Sequence, residues 1–228
     1  LRDPVAIVSG LIVLALIGLA VFGPWIAPAD PYASSMLGRL KPIGSANYPL
    51  GSDELGRDML SRLIVGARLS LFMGLTPVLV AFVLGTSMGL LAGYAGGWIN
   101  SAIMRTVDVL YAFPSVLLAI ALSGALGAGI FNALLSLTIV FTPPIVRGPI
   151  FVYATSLIAV AMILASGLSF LGLGVRPPEP EWGLMLNTLR TAIYTQPWVA
   201  ALPGAMIFIT SIAFNLLSDS LRSAMDVK

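Results

Sequence analysis

Two stretches of this chain, residues 5–27 and 69–95, contain no Asp, Glu, Lys or Arg. Each exceeds the about 20 apolar residues that a helix needs to cross roughly 30 Å of hydrocarbon. A backbone inside a bilayer finds no water to bond, so a crossing segment closes its hydrogen bonds within a helix or a sealed barrel. Continuous apolar runs, rather than alternating ones, specify helices. Four further runs follow: from just after Asp108 to about residue 124, then 130–146, 150–171 and 199–217. The fold read from the sequence is all-α, a polytopic membrane protein of six transmembrane helices forming one domain over residues 1–228. The first run is too long for a signal peptide and lacks a small-residue cleavage site. It ends at Gly23-Pro24-Trp25, an interfacial aromatic beside helix-stopping prolines.

Composition narrows the chemistry. The chain is 58% hydrophobic and 10% charged, against about 45–50% and about 25% in soluble domains. That excludes disorder, and a net charge of +2 leaves no footprint for nucleic acid. There is no histidine and no cysteine. Disulfide frameworks, thiolate zinc sites, Cys or Ser–His nucleophiles and histidine switches are therefore excluded. The expectation is a protein that is not an enzyme and binds no metal or cofactor of its own. Proton-coupled carriers keep ionisable groups at membrane depth. Here Asp108 is the only acid near a span, and it is read as standing at a helix start. A path without a coupling group points to an engine on another chain; a self-contained carrier or channel, with sodium held by broken helices, is the alternative.

The connections carry the charge. Residues 28–68 hold nine of the 22 charges, and 172–197 are proline-rich. Within the first connection, Ser52 reads as the cap of a helix with Asp53 and Glu54 in its first turn. Leu55, Met59, Leu60, Leu63 and Ile64 form an apolar stripe, with Arg57, Asp58, Ser61 and Arg62 opposite and Asp58 spaced to pair with Arg62. This is the pattern of an amphipathic helix lying on the membrane surface. Gly85, Gly89 and Gly93, spaced four apart, let another backbone approach, either within the chain or from another subunit. Pro77 is expected to bend the second span. Pro114 either kinks the third or marks its start. Pro143 and Pro144 free carbonyls near the end of the fourth, which face a cavity or are met by neighbouring helices. By polarity and proximity to these bends, Thr76, Tyr111, Asn132, Thr142 and Asn215 are the candidate path-lining residues, with ordinary packing as the alternative for each.

The blocks Leu-Gly-Ser-Asp-Glu-Leu-Gly-Arg-Asp (50–58), Ser-Arg (61–62) and Gly-Ala-Arg-Leu-Ser-Leu (66–71) resemble the signature of ABC-importer permeases for dipeptides, oligopeptides and nickel. They match the subunit type that pairs with a second, different permease. Leu-Ala-Gly-Tyr (91–94), Met-Arg-Thr-Val-Asp-Val-Leu (104–110), Leu-Ser-Phe-Leu-Gly-Leu-Gly (168–174), Pro-Pro-Glu-Pro-Glu-Trp-Gly (177–183) and Ala-Phe-Asn-Leu-Leu-Ser-Asp-Ser-Leu-Arg (213–222) agree in the family's order. Ser218 and Ser220 stand where the family has glycine, and Val227 where it has proline.

The resemblance implies a type I importer fold in a bacterial inner membrane, with both termini cytoplasmic and residues 28–68 external. It implies a path shared with the second permease, solute delivered by an external binding protein, and two ATPase subunits that hold ATP and magnesium. The chain has no Gly-x-x-x-x-Gly-Lys-Ser/Thr loop of its own. In the family an Arg-rich cytoplasmic loop between the fourth and fifth spans docks on the ATPase. Here Arg147 passes directly to Gly148, so a few dozen residues expected at this point are absent. The chain starts at Leu1 without methionine, and a preceding segment is expected. Five cations fall inside and seven outside in the implied orientation, against the positive-inside rule; the absent loop would return cations to the inside set.

Overall fold

A computed structural model describes residues 3–147 and 150–225, with side chains for 3–146 and 155–224. Among these residues the chain is helical, with only isolated β-bridges at Ser45–Tyr48 and Ser52–Asp58. The α-helices are α1 (Pro4–Ile26), α2 (Met59–Ala95), α3 (Gly97–Tyr111), α4 (Ser115–Leu126), α5 (Ile130–Arg147), α6 (Ile150–Phe170), α7 (Trp182–Thr188) and α8 (Pro197–Met225).

Local chemistry sets several boundaries. The Asp3 carboxylate accepts from the Val5 N–H ahead of Pro4, a first-turn residue with no amide hydrogen to satisfy. Asp58 caps α2 by accepting from the Ser61 N–H at 2.8 Å. Gly96, at φ +59°, ends that helix in a conformation that favours glycine. α2 has 37 residues, about 55 Å at 1.5 Å per residue. That exceeds the hydrocarbon thickness, so its charged first turns stand outside the apolar slab.

The core is arranged along α2. Its first half (Met59, Leu63, Ala67, Leu71) packs with Val13 and Leu16 of α1, Met162 of α6, Trp182 and Met185 of α7, and Phe214 of α8. Its second half (Met73, Val78, Ala81) packs with Leu137, Phe141 and Ile145 of α5, Ala119 of α4 and Ala165 of α6. A Cβ on Gly85 would stand 2.9 Å from Ile145, and one on Gly89 3.4 Å from the Val146 carbonyl, whereas Gly93 faces open space. Two of the three spaced glycines therefore serve packing of α2 on α5 within the chain.

Among the described residues three helices are long and apolar enough to cross a membrane: Pro4–Ile26, Met59–Ala95 and Pro197–Ala224. α3 and α4 make a fourth if they are taken as one element, but they meet at 94°. The stretches Ile130–Val146 of α5 and Thr155–Phe170 of α6 are apolar as well. The expected third span thus differs in form. α3 already begins at Gly97, Asp108 lies in its last turn rather than at a helix start, and Pro114 stands at the beginning of α4. The expected surface helix from Ser52 is also corrected: helix begins only at Met59, and Ser52 is bridged to Asp58 across a tight turn. The proline-rich connection holds α7 and a 3-10 turn at Leu189–Tyr194.

Candidate functional site

The most organised polar region lies where the 27–58 strap folds over the start of α2. Gly56, at φ +73°, lets the 52–58 turn close; a Cβ there would collide with the Ser35 carbonyl. At its centre Asp53 is 2% exposed. Its Oδ1 accepts from the Leu55 and Arg57 N–H groups, both at 2.9 Å. Its Oδ2 accepts from Arg57 Nε at 2.6 Å and lies 3.3 Å from Arg62 Nε. Arg62 Nη1 donates to the carbonyls of Pro31 (2.9 Å) and Pro178 (3.4 Å). Ser61 donates to Asp58 at 2.6 Å and accepts from the Ala29 N–H at 3.0 Å. One buried network thereby joins the strap, the turn, α2 and the loop before α7.

A second set continues it. Trp182, fully buried, donates from Nε1 to the Leu63 carbonyl at 3.0 Å, and its N–H donates to Ser70 Oγ at 3.0 Å. The Glu181 carboxylate accepts from the Gly183 and Leu184 N–H groups, each at 2.8 Å, and caps α7. Burial pushes the Glu181 carboxyl up from its ordinary value, against those two amides and the Ser169 and Ser70 hydroxyls, which pull it down. Gly66 lets the Pro180 carbonyl approach α2 so closely that no Cβ would fit. Tyr32 donates to Glu179 Oε2 at 2.9 Å. Burial first, and then this bond to a carboxylate, push its hydroxyl above the usual range.

This network inverts one sequence reading. Arg57, Asp58, Ser61 and Arg62, expected on a solvated face, are buried, while Leu55 is exposed. Arg62 lies beside Asp53, the acid of the preceding turn, and among the described residues no ion pair joins it to Asp58. The signal that marks the turn is local density: residues 51–58 hold two glycines, three acids and an arginine. That density suits a self-bonded turn better than a helix.

The five residues read as path-lining are not gathered in one place. Asn132 donates to the carbonyls of Leu126 (2.8 Å) and Gly127 (2.9 Å), closing the end of α4. Thr142 is buried and turns back to the Thr138 carbonyl at 2.8 Å. Thr76 is half-buried in the middle of α2. Tyr111 borders a narrow hollow with Phe113, Pro143 and Pro144. Asn215 is exposed on the wall of a cavity of about 420 Å³ with Ser211, Leu186 and Phe208. Gly148, and the Arg147 side chain, lie outside the described residues.

Comparison with known proteins adds to this picture. Residues 1–42 match a family model described as the N-terminal TM domain of oligopeptide transport permease C. The chain is 40% identical to the glutathione transport system permease protein GsiD of Pectobacterium atrosepticum, over all of this chain and 88% of that protein. It is 38% identical to the di/tripeptide transport system permease protein DppC of Pseudomonas aeruginosa, over 96% of this chain and 86% of the relative. It is 34% identical to the probable D,D-dipeptide transport system permease protein DdpC of Escherichia coli, over 99% and 88%. The alignment with GsiD covers 266 positions against the 228 residues of this chain, so at least 38 positions of that relative have no counterpart here.

Proposed function

We propose how this chain works from the premise that it belongs to the C-type permeases of ABC peptide importers. It is a multi-pass membrane protein and a permease subunit of such a transport system. The observation that carries this is identity of 40%, 38% and 34% over nearly its whole length to proteins all described as transport system permeases. The similarity does not favour a carrier or channel working alone.

The finer picture is our reading. Six spans, formed by α1, α2, the bent α3–α4 pair, α5, α6 and α8, lie in a bacterial inner membrane with both termini cytoplasmic. The strap and its network face outward, where an external binding protein delivers a small peptide or glutathione-like solute. A second permease completes the path, and two ATPase subunits, which hold the ATP and magnesium, drive it; this chain carries no cofactor and no catalysis of its own. Asn215, with its cavity, supports a place on that path better than Asn132, whose amide is spent on the end of α4. The absent positions belong between Arg147 and Gly148, where a coupling loop would meet the ATPase. In support, α5 ends at Arg147 and α6 begins at Ile150.

Purification of the full-length chain from its own membranes in mild detergent tests the assembly. A second permease and ATP-hydrolysing subunits are expected to elute with it, in equal amounts of the two permeases. Elution of this chain without either would contradict the reading.

A further inference from the structure

A hollow of about 460 Å³ opens between the end of α1 and the start of α2. Pro24, Leu69 and Phe72 line it together with Asp30, Tyr32, Arg68 and Glu179. Its depth in the membrane is marked by neighbours. Trp25, next to Pro24, is 78% exposed and stacks at a tilt on Phe22, the disposition of an aromatic at the headgroup level. Leu69 and Phe72 open the uncharged part of α2, and Phe72 is half exposed. α1 presents an apolar face along most of its length (Val8, Leu11, Leu14, Val21 and Phe22 are all exposed), a surface suited to lipid.

The charges are arranged for something between them. Tyr32 fixes both acids: its N–H donates to Asp30 Oδ1 at 2.9 Å and its hydroxyl to Glu179 Oε2 at 2.9 Å. Each acid thus spends one oxygen on Tyr32. Among the described residues Arg68 makes no ion pair with either acid, although all three line the same hollow. A cation and two carboxylates that line one hollow without pairing complement a group with a negative and a positive end. An anionic headgroup would meet two acids, and a quaternary ammonium has no N–H to donate to them.

We propose that this hollow binds the zwitterionic headgroup of phosphatidylethanolamine. The phosphate pairs with Arg68, the primary ammonium donates to Asp30 and Glu179, and an acyl chain runs down Leu69 and Phe72. The site does not depend on what the protein transports, only on its crossing a membrane.

The test places the full chain in nanodiscs of equal parts phosphatidylethanolamine, phosphatidylcholine and phosphatidylglycerol, then counts retained lipids by native mass spectrometry after gentle extraction. The ethanolamine lipid is expected to be retained above the other two. Arg68→Gln and Asp30→Asn should each cut that preference about two- to fivefold, the range of an exposed ion pair. Equal retention of the three lipids by the unaltered chain would overturn the proposal, and that comparison needs no variant to fold. A preference for phosphatidylglycerol, or an unchanged preference in a folded Arg68→Gln chain, would overturn it as well. So would displacement of the bound lipid by millimolar dialanine, which would assign the hollow to a soluble zwitterion.

Discussion

Asp53→Ala is expected to be the most damaging single change outside the apolar core. The substitution removes the acceptor of four interactions, leaving Arg62 buried without its ion-pair partner and Arg57 with only Glu54, at 3.5 Å. Removing one partner of a buried ion pair typically costs about 3–5 kcal/mol, because the stranded charge stays desolvated. Against a total stability of about 5–15 kcal/mol, that is a large share. The unfolding temperature of the purified protein should drop sharply, and the amount found in membranes should fall with it. Asp53→Asn keeps an oxygen for the Leu55 and Arg57 amides, so it should fall between the two. Equal unfolding temperatures for the alanine variant and the unaltered chain would show that the network contributes little to stability.

Trp182→Ala is expected to come close behind. The indole is fully buried between Leu63 and Gly66 of α2 and Met185 of α7, and it fixes the 176–181 loop against α2 through two hydrogen bonds. Truncating a buried tryptophan to alanine costs about 3–5 kcal/mol in lost transfer energy and cavity. Trp182→Phe keeps most of the volume and loses mainly the bond to the Leu63 carbonyl, worth about 0.5–1.5 kcal/mol. Thermal unfolding of the two variants should therefore separate them clearly, with alanine far lower. Similar losses for both would mean that the bond, not the volume, holds this junction.

Both experiments address the part of the molecule that was hardest to read in advance. The apolar helices were legible because a membrane selects on length and charge, and both are local properties of sequence. Residues 5–27 and 69–95 accordingly fall within or close to helices of the structure, α1 and α2. The spacing of Met59, Leu60, Leu63 and Ile64 does fall on the start of α2, with Met59 and Leu63 buried, whereas Leu55 lies before the helix and is exposed. What it did not give was which side would be covered. The groups that cover Arg62 come from Pro31 and Pro178, the second of which is 116 residues distant. Periodicity holds no information about such a partner, so a buried polar face was read as a solvated one. The elbow at Pro114 was legible as a break, whereas its 94° angle depends on packing against α5 that no local signal specifies. The candidate path-lining residues rest on polarity and on nearness to the helix bends. Neither property says whether a side chain is already bonded to nearby backbone, as Asn132 and Thr142 are.

The central claim is that these apolar helices hold no engine and import solute only when partner subunits hydrolyse ATP. Uptake of a labelled dipeptide into proteoliposomes tests it most directly, with the full-length chain reconstituted alone, or together with its second permease, ATPases and binding protein. Accumulation is expected only with the complete set and ATP, and an imposed proton or sodium gradient should give none to the chain by itself. Gradient-driven accumulation by this polypeptide alone would contradict the account.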